Sequence, residues 1–177
     1  MTDIYLRPIE ENDTDLIVHW RNSEYGRNHS LSKKLITPES HRHHYKENVQ
    51  TGRYRQFIVI RRDDTAGVAF YPIATVYLKD VDMENQRCEL CVFTNCDNEW
   101  VEECQIEGIK QLIKKAFEEY GMHKVYSYVF CKFPEEVKRL EQVGLRIEAK
   151  LENEAKEMDG NYTDIYRMSI FNDEDHK

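Results

Sequence analysis

The sequence predicts an α+β (mixed α/β) domain in which a mostly antiparallel sheet of about seven strands is flanked by about four helices. Helical and strand-like segments follow one another as strand, two helices, three strands, long helix, strand, short helix and two strands. Glycine and proline are scarce, with seven and four in 177 residues, and no repeat or linker interrupts the order. We therefore expect a single domain over residues 1–171, with residues 172–177 as a disordered, solvated tail.

The N-terminal half contains both helix and strand signals. Leu16, Ile17 and Trp20 lie at helical spacing in a predicted helix over residues 11–22, which Asn12 or Asp13 can cap. Thr37 followed by proline predicts the start of a second helix, which runs to residues 51–52. Strands are predicted at residues 4–7, 56–62, 67–79 and 87–95, with a turn at 80–85 and a bulge or edge position at Pro72.

The C-terminal half contains the strongest periodic signal. Apolar residues recur every 3.6 positions in a predicted long helix that Gly121 ends as a C-terminal cap. They are Ile106, Ile109, Leu112, Ile113, Ala116, Phe117 and Tyr120. A strand over 123–130, a short helix over 134–143 and two final strands over 145–155 and 163–171 complete the pattern.

Net charge, hydropathy and cysteine content exclude several classes of function. The formal net charge of −8 disfavours general binding to nucleic acid or to anionic membranes. No run of about 18 apolar residues predicts a membrane span, and the N-terminus lacks the regions of a signal peptide. Five cysteines without framework spacing fit reduced thiols. A cytoplasmic protein is therefore expected.

Three segments together carry a resemblance to a known family. They are IYLRPIEENDTDLIVHWRN, the later ITPESH, and the region from AFEEYGMHKVYSYV through RLEQVGLRIEAK to TDIYRMSIF. In order and spacing they resemble the GNAT acyltransferase superfamily, and most of all its ribosomal-protein N-terminal and amino-sugar N-acetyltransferases. The resemblance covers almost the whole chain. It implies a splayed strand pair that admits the pantetheine arm of acetyl-CoA.

The resemblance also implies the reaction and its acceptor. The acyl group would pass to the primary amine of a protein N-terminus, an amino sugar or a small metabolite, so the expected partner is a peptide or small-molecule amine. The oligomeric state stays open between monomer and homodimer.

Family positions fall on a small set of residues here. Glu89 occupies the place of the strand glutamate that acts as base or orients water. Because strand side chains alternate, Glu89, Cys91 and Phe93 share one face, and that face is either the substrate cleft or a solvated sheet surface. The main chain of Val92, Phe93 and Thr94 would pair with pantetheine, and Gln105 falls in the cofactor segment.

The acceptor side is expected on the early helices. Trp20 and Arg21, in a Trp-Arg-Asn sequence that recurs in this branch, and His41 and His44, on one helix face, are the predicted substrate contacts. Arg21 could instead form a structural salt bridge. With His43, the histidines also look like metal ligands, but three ligands within four residues suit one tetrahedral ion poorly, so no metal is expected.

Two places depart from the family pattern. No glycine, arginine or lysine occurs from 97 to 105, where the family carries its diphosphate loop, and acidic residues occupy that helix start instead. Such a stretch complements the helix dipole but repels a diphosphate. In the short helix, Phe133 and Leu140 replace the family's asparagine and tyrosine, and Glu136 or Cys131 lies nearby. The sequence thus predicts a degenerate cofactor loop.

Three functional hypotheses follow. The chain is an acetyl-CoA-dependent N-acyltransferase with an atypical cofactor site, or a catalytically degenerate protein that binds a ligand or partner in the same cleft. The third is an acyltransferase whose donor is carried by a carrier protein or tRNA.

Overall fold

The computed structural model describes residues 3–94 and 102–173, and all its strands belong to one twisted sheet. The strand order is β1-β2-β3-β4-β5-β7-β6, and every neighbouring pair is antiparallel except β4 and β5. The strands are β1 (Asp3–Pro8), β2 (Arg55–Asp63), β3 (Ala69–Asp82), β4 (Arg87–Phe93), β5 (Lys124–Phe130), β6 (Arg146–Lys156) and β7 (Tyr162–Phe171). The predicted α+β class with a mostly antiparallel, seven-stranded sheet is confirmed.

Five α-helices lie in the described part of the chain, one more than the sequence predicted. They are α1 (Thr14–Asn22), α2 (Glu24–Asn28), α3 (Pro38–His44), α4 (Glu102–Glu118) and α5 (Pro134–Gln142). A 3₁₀ turn (Glu11–Asp13) precedes α1, and a π-helical turn (Tyr45–Val49) continues α3. The extra helix is α2, whose five residues are too few to carry a periodic signal.

Local chemistry fixes several of these boundaries. Thr37 caps α3 as predicted, because its hydroxyl accepts from the backbone N–H of Ser40 at 3.0 Å. Asp13 precedes α1 but makes no side-chain cap there. Its carboxylate accepts two hydrogen bonds from Arg7 instead, at 2.8 and 3.0 Å.

Strand β3 departs from the sequence prediction at one end and agrees with it at the other. The strand continues through Asp82, into the region predicted as a turn. The left-handed backbone of Asp80, at φ 48°, accompanies a register shift that lets the chain extend past Lys79. A second shift skips Ile73, so that Pro72 lies beside a bulge, as the sequence predicted.

The two parallel strands separate soon after they meet. β4 and β5 pair only at Arg87–Lys124, Cys88–Val125 and Glu89–Tyr126. Beyond Glu89, no strand of the described chain pairs with the β5 side of β4, although Ser127 donates its hydroxyl to the carbonyl of Leu90 at 2.8 Å. The predicted splayed strand pair is therefore present.

The main core lies between the sheet and α4. Leu112 and Ala116 of α4 are fully buried against Val76, Leu90 and Val125 of the sheet. On the opposite face, α1 buries Ile17 and Trp20 against Ile58 and Ile60. No helix among residues 3–94 and 102–173 is long and apolar enough to cross a membrane.

Candidate functional site

A cavity of about 490 Å³ opens where β4 and β5 diverge. Residues 89–94 of β4 and its exit form one wall, and residues 127–130 of β5 form another. Helices α1, α2 and α3 line the cavity on one side. Helix α5 contributes Glu136 and Leu140, and α4 contributes Gln105 and Ile109. Strand β4, the early helices and the short helix α5, from which the sequence analysis drew its site residues, all contribute to the lining, and α2 is an addition that the sequence did not predict.

Glu89 lies on the cavity wall and is 6% exposed. One carboxylate oxygen accepts from the Cys91 thiol at 3.3 Å, and the other lies 3.5 Å from the ammonium of Lys79. Burial raises the pKa of Glu89, and the nearby Lys79 charge acts in the opposite direction. A buried carboxylate with a raised pKa, aimed into a cleft, has the properties of a general base.

The two cysteines of the Cys88-Glu-Leu-Cys91 sequence point to opposite faces, as alternation predicted. Cys88 is fully buried in the α4-side core, where burial raises its pKa to about 12. Cys91 instead lines the cavity beside Glu89. Burial raises the pKa of Cys91 well above its ordinary value, and the thiol therefore stays protonated.

A row of contacting rings forms the wall next to Glu89. The ring of Tyr77 lies 5.6 Å from that of Tyr54 and 5.5 Å from that of Phe93, and His44 meets Tyr54 edge-on at 4.7 Å. Burial raises the pKa of Tyr77 well above its ordinary value, which keeps its hydroxyl neutral. These ring contacts make this wall of the cavity predominantly aromatic.

Arg21 lies at one end of this wall. Its guanidinium is 5.0 Å from the centre of the Phe93 ring, and one terminal nitrogen, Nη2, donates to the carbonyl of Ser32 at 2.6 Å. The side chain makes no ion pair within residues 3–94 and 102–173, so the salt-bridge alternative is not observed there. Burial lowers the pKa of Arg21, because a low-dielectric site disfavours its charge.

His41 and His44 both line the cavity. His41 is 4% exposed and its Nδ1 lies 3.0 Å from the hydroxyl of Thr14. Burial, with the neighbouring His44, lowers the pKa of His41 to about 4, so the ring is neutral at pH 7. Within the described ranges, no group of three His, Cys, Asp or Glu residues could hold a metal ion.

The side chain of Trp20 lies elsewhere. It is 3% exposed and packs with Ile9, Ile17 and Ile58, and it is not among the cavity-lining residues of the described chain. Its place in the sequence beside Arg21 does not bring it to the cavity, since successive helix residues are about 100° apart.

A second carboxylate enters the cavity from α5. Glu136 accepts from the Tyr25 hydroxyl at 3.5 Å, and its Oε1 lies 3.4 Å from Nε2 of His29. The His29 ring stacks between Tyr25 and Phe133, at 3.8 and 3.9 Å. Burial raises the pKa of Glu136 to about 7, against the opposing charge of Arg139.

Sequence reasoning missed Tyr25 and His29, because α2 is too short to show a pattern. A usable signal did exist for Glu136: it precedes Leu140 by four residues, so both side chains share one helix face. Both line the cavity. Cys131, the other candidate near the short helix, lies at the end of β5 and does not line the cavity within the described residues.

The predicted cofactor segment is described only in part. Val92, Phe93, Thr94 and Gln105 all line the cavity. Residues 95–101, which contain Asp97 and Glu99 of the acidic stretch in place of a diphosphate loop, lie outside the described residues, whereas Glu102 and Glu103 form the first turn of α4. The prediction of a degenerate loop therefore stays a prediction. The same holds for residues 174–177 of the predicted tail.

Comparison with known proteins identifies the class that this fold and cleft define. Residues 3–146 match the family model of the acetyltransferase (GNAT) domain, so the chain belongs to that family. Acetyl-CoA is the acetyl donor of GNAT acetyltransferases. No curated protein sequence matches the chain.

Two solved structures show the same fold. The spermidine N-acetyltransferase of Vibrio cholerae, in complex with CoA and spermine, superposes with a TM-score of 0.82 at 20% identity, over 95% of each chain. A chimera of that enzyme, SpeG, with hSSAT gives a TM-score of 0.79 at 20% identity, again over 95% of each chain. The particular branch predicted from the sequence, ribosomal-protein N-terminal or amino-sugar acetyltransferases, is not what these two structures represent.

Proposed function

We propose that this chain is an N-acetyltransferase that moves an acetyl group from acetyl-CoA to a primary amine held in the β4–β5 cavity. The amine belongs to a peptide N-terminus, an amino sugar or a small metabolite. The observation that carries the proposal is a buried carboxylate, Glu89, at the point where the two parallel strands part. Family membership supports the same reaction.

The cleft suits the pantetheine arm. Beyond Glu89, the main-chain groups of β4 that point toward β5 lack a strand partner in the described chain, and pantetheine carries amides that can pair with them. Val92, Phe93 and Thr94 are the residues that would hold the arm, with Gln105 at the base of α4. When bound, acetyl-CoA supplies a thioester whose carbonyl carbon an amine can attack.

Glu89 has the properties needed to take the proton from the amine, directly or through one water. Its raised pKa makes it a stronger base than an exposed glutamate, while the nearby charge of Lys79 favours the ionised form of the carboxylate. The neutral Cys91 thiol donates to one of its oxygens and fixes the orientation of the carboxylate.

Glu136 is the residue that we assign as proton donor to the departing thiolate. It occupies the same helix face as Leu140, one turn closer to the N-terminus of α5, and Leu140 stands where the family has its tyrosine. With a pKa of about 7, the Glu136 carboxyl is partly protonated at neutral pH and can give up a proton.

The proposal is tested by comparing binding with turnover. Calorimetric titration with acetyl-CoA is expected to give saturable heat for the wild-type protein and for Glu89→Gln. Release of free thiol in the presence of a mixture of amines is expected only from the wild-type protein at an appreciable rate. The absence of heat at millimolar acetyl-CoA would contradict the proposal.

The two remaining hypotheses are separate outcomes of this experiment. A catalytically degenerate protein that binds a small ligand or a partner in the cleft would release no thiol with any amine. An enzyme that takes its acyl group from a carrier would ignore free CoA and bind a pantetheinylated carrier protein.

A further inference from the structure

Arg21 is a buried cation without a carboxylate partner in the part of the chain that the structure describes. The residue is 7% exposed, and its terminal nitrogen Nη1 is buried with no hydrogen-bond partner in the described part of the chain. Its other terminal nitrogen, Nη2, donates a hydrogen bond to the carbonyl of Ser32, which fixes the orientation of the guanidinium. A buried ion without a counterion is unfavourable, because it has lost its hydration and gained no opposite charge. The arrangement of Arg21 therefore destabilises the folded chain.

The described lining of the cavity is positively charged overall, as Arg21 is. Its described lining holds four basic side chains and two carboxylates. The basic residues are Arg21, Lys34, Lys79 and Arg139, and the acidic ones are Glu89 and Glu136. The chain carries a formal net charge of −8, so the cavity has the opposite balance from the molecule.

Both cavity carboxylates already have partners of their own. Glu89 is paired with Lys79 and Cys91, and Glu136 contacts His29 and Tyr25. Neither forms an ion pair with Arg21. Two other side-chain nitrogens of the lining, Nε2 of His41 and Nε of Arg139, are also buried without a hydrogen-bond partner in the described chain.

The separation of Glu89 and Arg21 sets the length of a molecule that can contact both side chains. Arg21 lies over Phe93, which is four residues beyond Glu89 on β4, roughly 13 Å along an extended strand. Both side chains line the cavity, so a molecule that reaches from Glu89 to Arg21 spans on the order of 10 Å, the length of about three extended residues.

We propose that the acceptor amine carries an anionic group, a carboxylate or a phosphate, that binds the guanidinium of Arg21 while the amine faces Glu89. The proposal rests on the acetyltransferase function proposed above and names its substrate class. A planar guanidinium binds both kinds of anion through paired hydrogen bonds, and Nη1 is the donor that remains to be filled. A polycation such as spermidine would place positive charge against Arg21.

The test uses matched amines that differ only in the anionic group. Trialanine is compared with trialanine amide, and glucosamine 6-phosphate with glucosamine, while spermidine serves as the cationic amine. Thiol release from acetyl-CoA gives kcat/KM for each. We expect the anionic member of at least one pair to be favoured by about tenfold or more, since charge-assisted hydrogen bonds to a buried guanidinium are strong. The pair that responds identifies the anion as carboxylate or phosphate.

Variants assign the preference to Arg21. Arg21→Gln is expected to bring the two members of the responding pair within about threefold of each other, chiefly through KM, and Arg21→Lys to keep part of the preference. Arg55→Gln, which removes an exposed arginine over Tyr120, is the matched control and should keep all of it. Thermal stabilisation by the anionic amine without acetyl-CoA, present in wild type and lost in Arg21→Gln, gives a readout independent of turnover.

Preference for spermidine, equal rates within both pairs, or a preference that survives Arg21→Gln would each overturn the inference. If spermidine or the neutral amines are acetylated efficiently, the acetyltransferase function stands and only the substrate class is wrong. If acetyl-CoA does not bind, the proposed function itself has failed.

Discussion

The two faces of the sheet bury different chemistry. The face under α4 is filled by aliphatic side chains such as Leu112, Val76 and Leu90, which have no polar group to satisfy. The face under α1 to α3 buries Arg21, His41 and Glu89 around a cavity. Burial of apolar surface stabilises a fold, whereas burial of incompletely paired polar groups opposes it. The second face therefore has the composition of a functional site.

This contrast predicts that substitutions separate by face: those in the cavity change activity, and those under α4 change stability. The largest expected effect is on Glu89. Glu89→Gln keeps the shape of the side chain but removes the base, so kcat should fall by about 10²- to 10⁴-fold, or about 3–5 kcal/mol in the barrier. Steady-state kinetics measure it. Glu154→Gln, at an exposed position of β6, is the control, and a variant of Glu89 with wild-type kcat would remove the distinction between the faces.

Leu112→Ala should show the reverse behaviour. The side chain is fully buried against the sheet, and its truncation leaves a cavity that costs about 3 kcal/mol in the free energy of unfolding. Urea denaturation measures the loss, with Ile147→Ala, at a position 45% exposed, as the control. Equal losses at the two positions would show that the α4 face is not the main source of stability.

The buried ring of His41, on the cavity face, makes the free energy of unfolding depend on pH. Its folded pKa of about 4 lies below the ordinary value of 6.5, so the unfolded chain binds a proton more readily than the folded one between these two pH values. The contribution of the neutral ring to the free energy of unfolding is fully present above pH 6.5 and is lost as the pH falls toward 4, by about 3 kcal/mol.

His41→Asn should remove that loss, because asparagine does not titrate. Denaturation at pH 7 and pH 4.5 gives the comparison, and His43→Asn, an exposed histidine on the same helix, is its control. If wild type and His41→Asn lose the same stability on acidification, the ring is not held neutral by the fold.

Glu136→Gln is expected to give the smallest effect. A thiolate leaves readily without an acid, so kcat should fall by only about tenfold or less at pH 6.5. The protonated form is lost as the pH rises through about 7, so the wild-type profile should contain a limb that declines there and the variant should lack it. Glu135→Gln, exposed on the same helix, should keep the wild-type profile. An unchanged profile in Glu136→Gln would exclude it as the donor.

Much of the fold could be predicted because local patterns carry it. The 3.6-residue stripe located α4, and strand alternation correctly placed Glu89 with Cys91 and opposite Cys88. The order of strands in the sheet depends on contacts between distant parts of the chain, so local patterns do not predict it. The separation of β4 from β5 was therefore predicted only from the family resemblance.

The candidate site was predicted less completely. Arg21, His41 and His44 line the cavity, as their assignment as substrate contacts required, whereas Trp20 packs in the core. The absence of a carboxylate beside Arg21 in the described chain is a three-dimensional fact that no spacing reveals. The ring stack of Tyr25, His29 and Phe133 joins α2 to the start of α5 across more than a hundred residues, and for the same reason it has no local signature.

The central claim is that the gap between β4 and β5 is where acyl transfer takes place. A crystal structure of the protein with acetyl-CoA tests it most directly. We predict the pantetheine arm between the two strands, hydrogen-bonded to the main chain of Val92–Thr94, with the thioester within reach of Glu89. Acetyl-CoA bound at another surface, with the gap between β4 and β5 closed, would contradict the account.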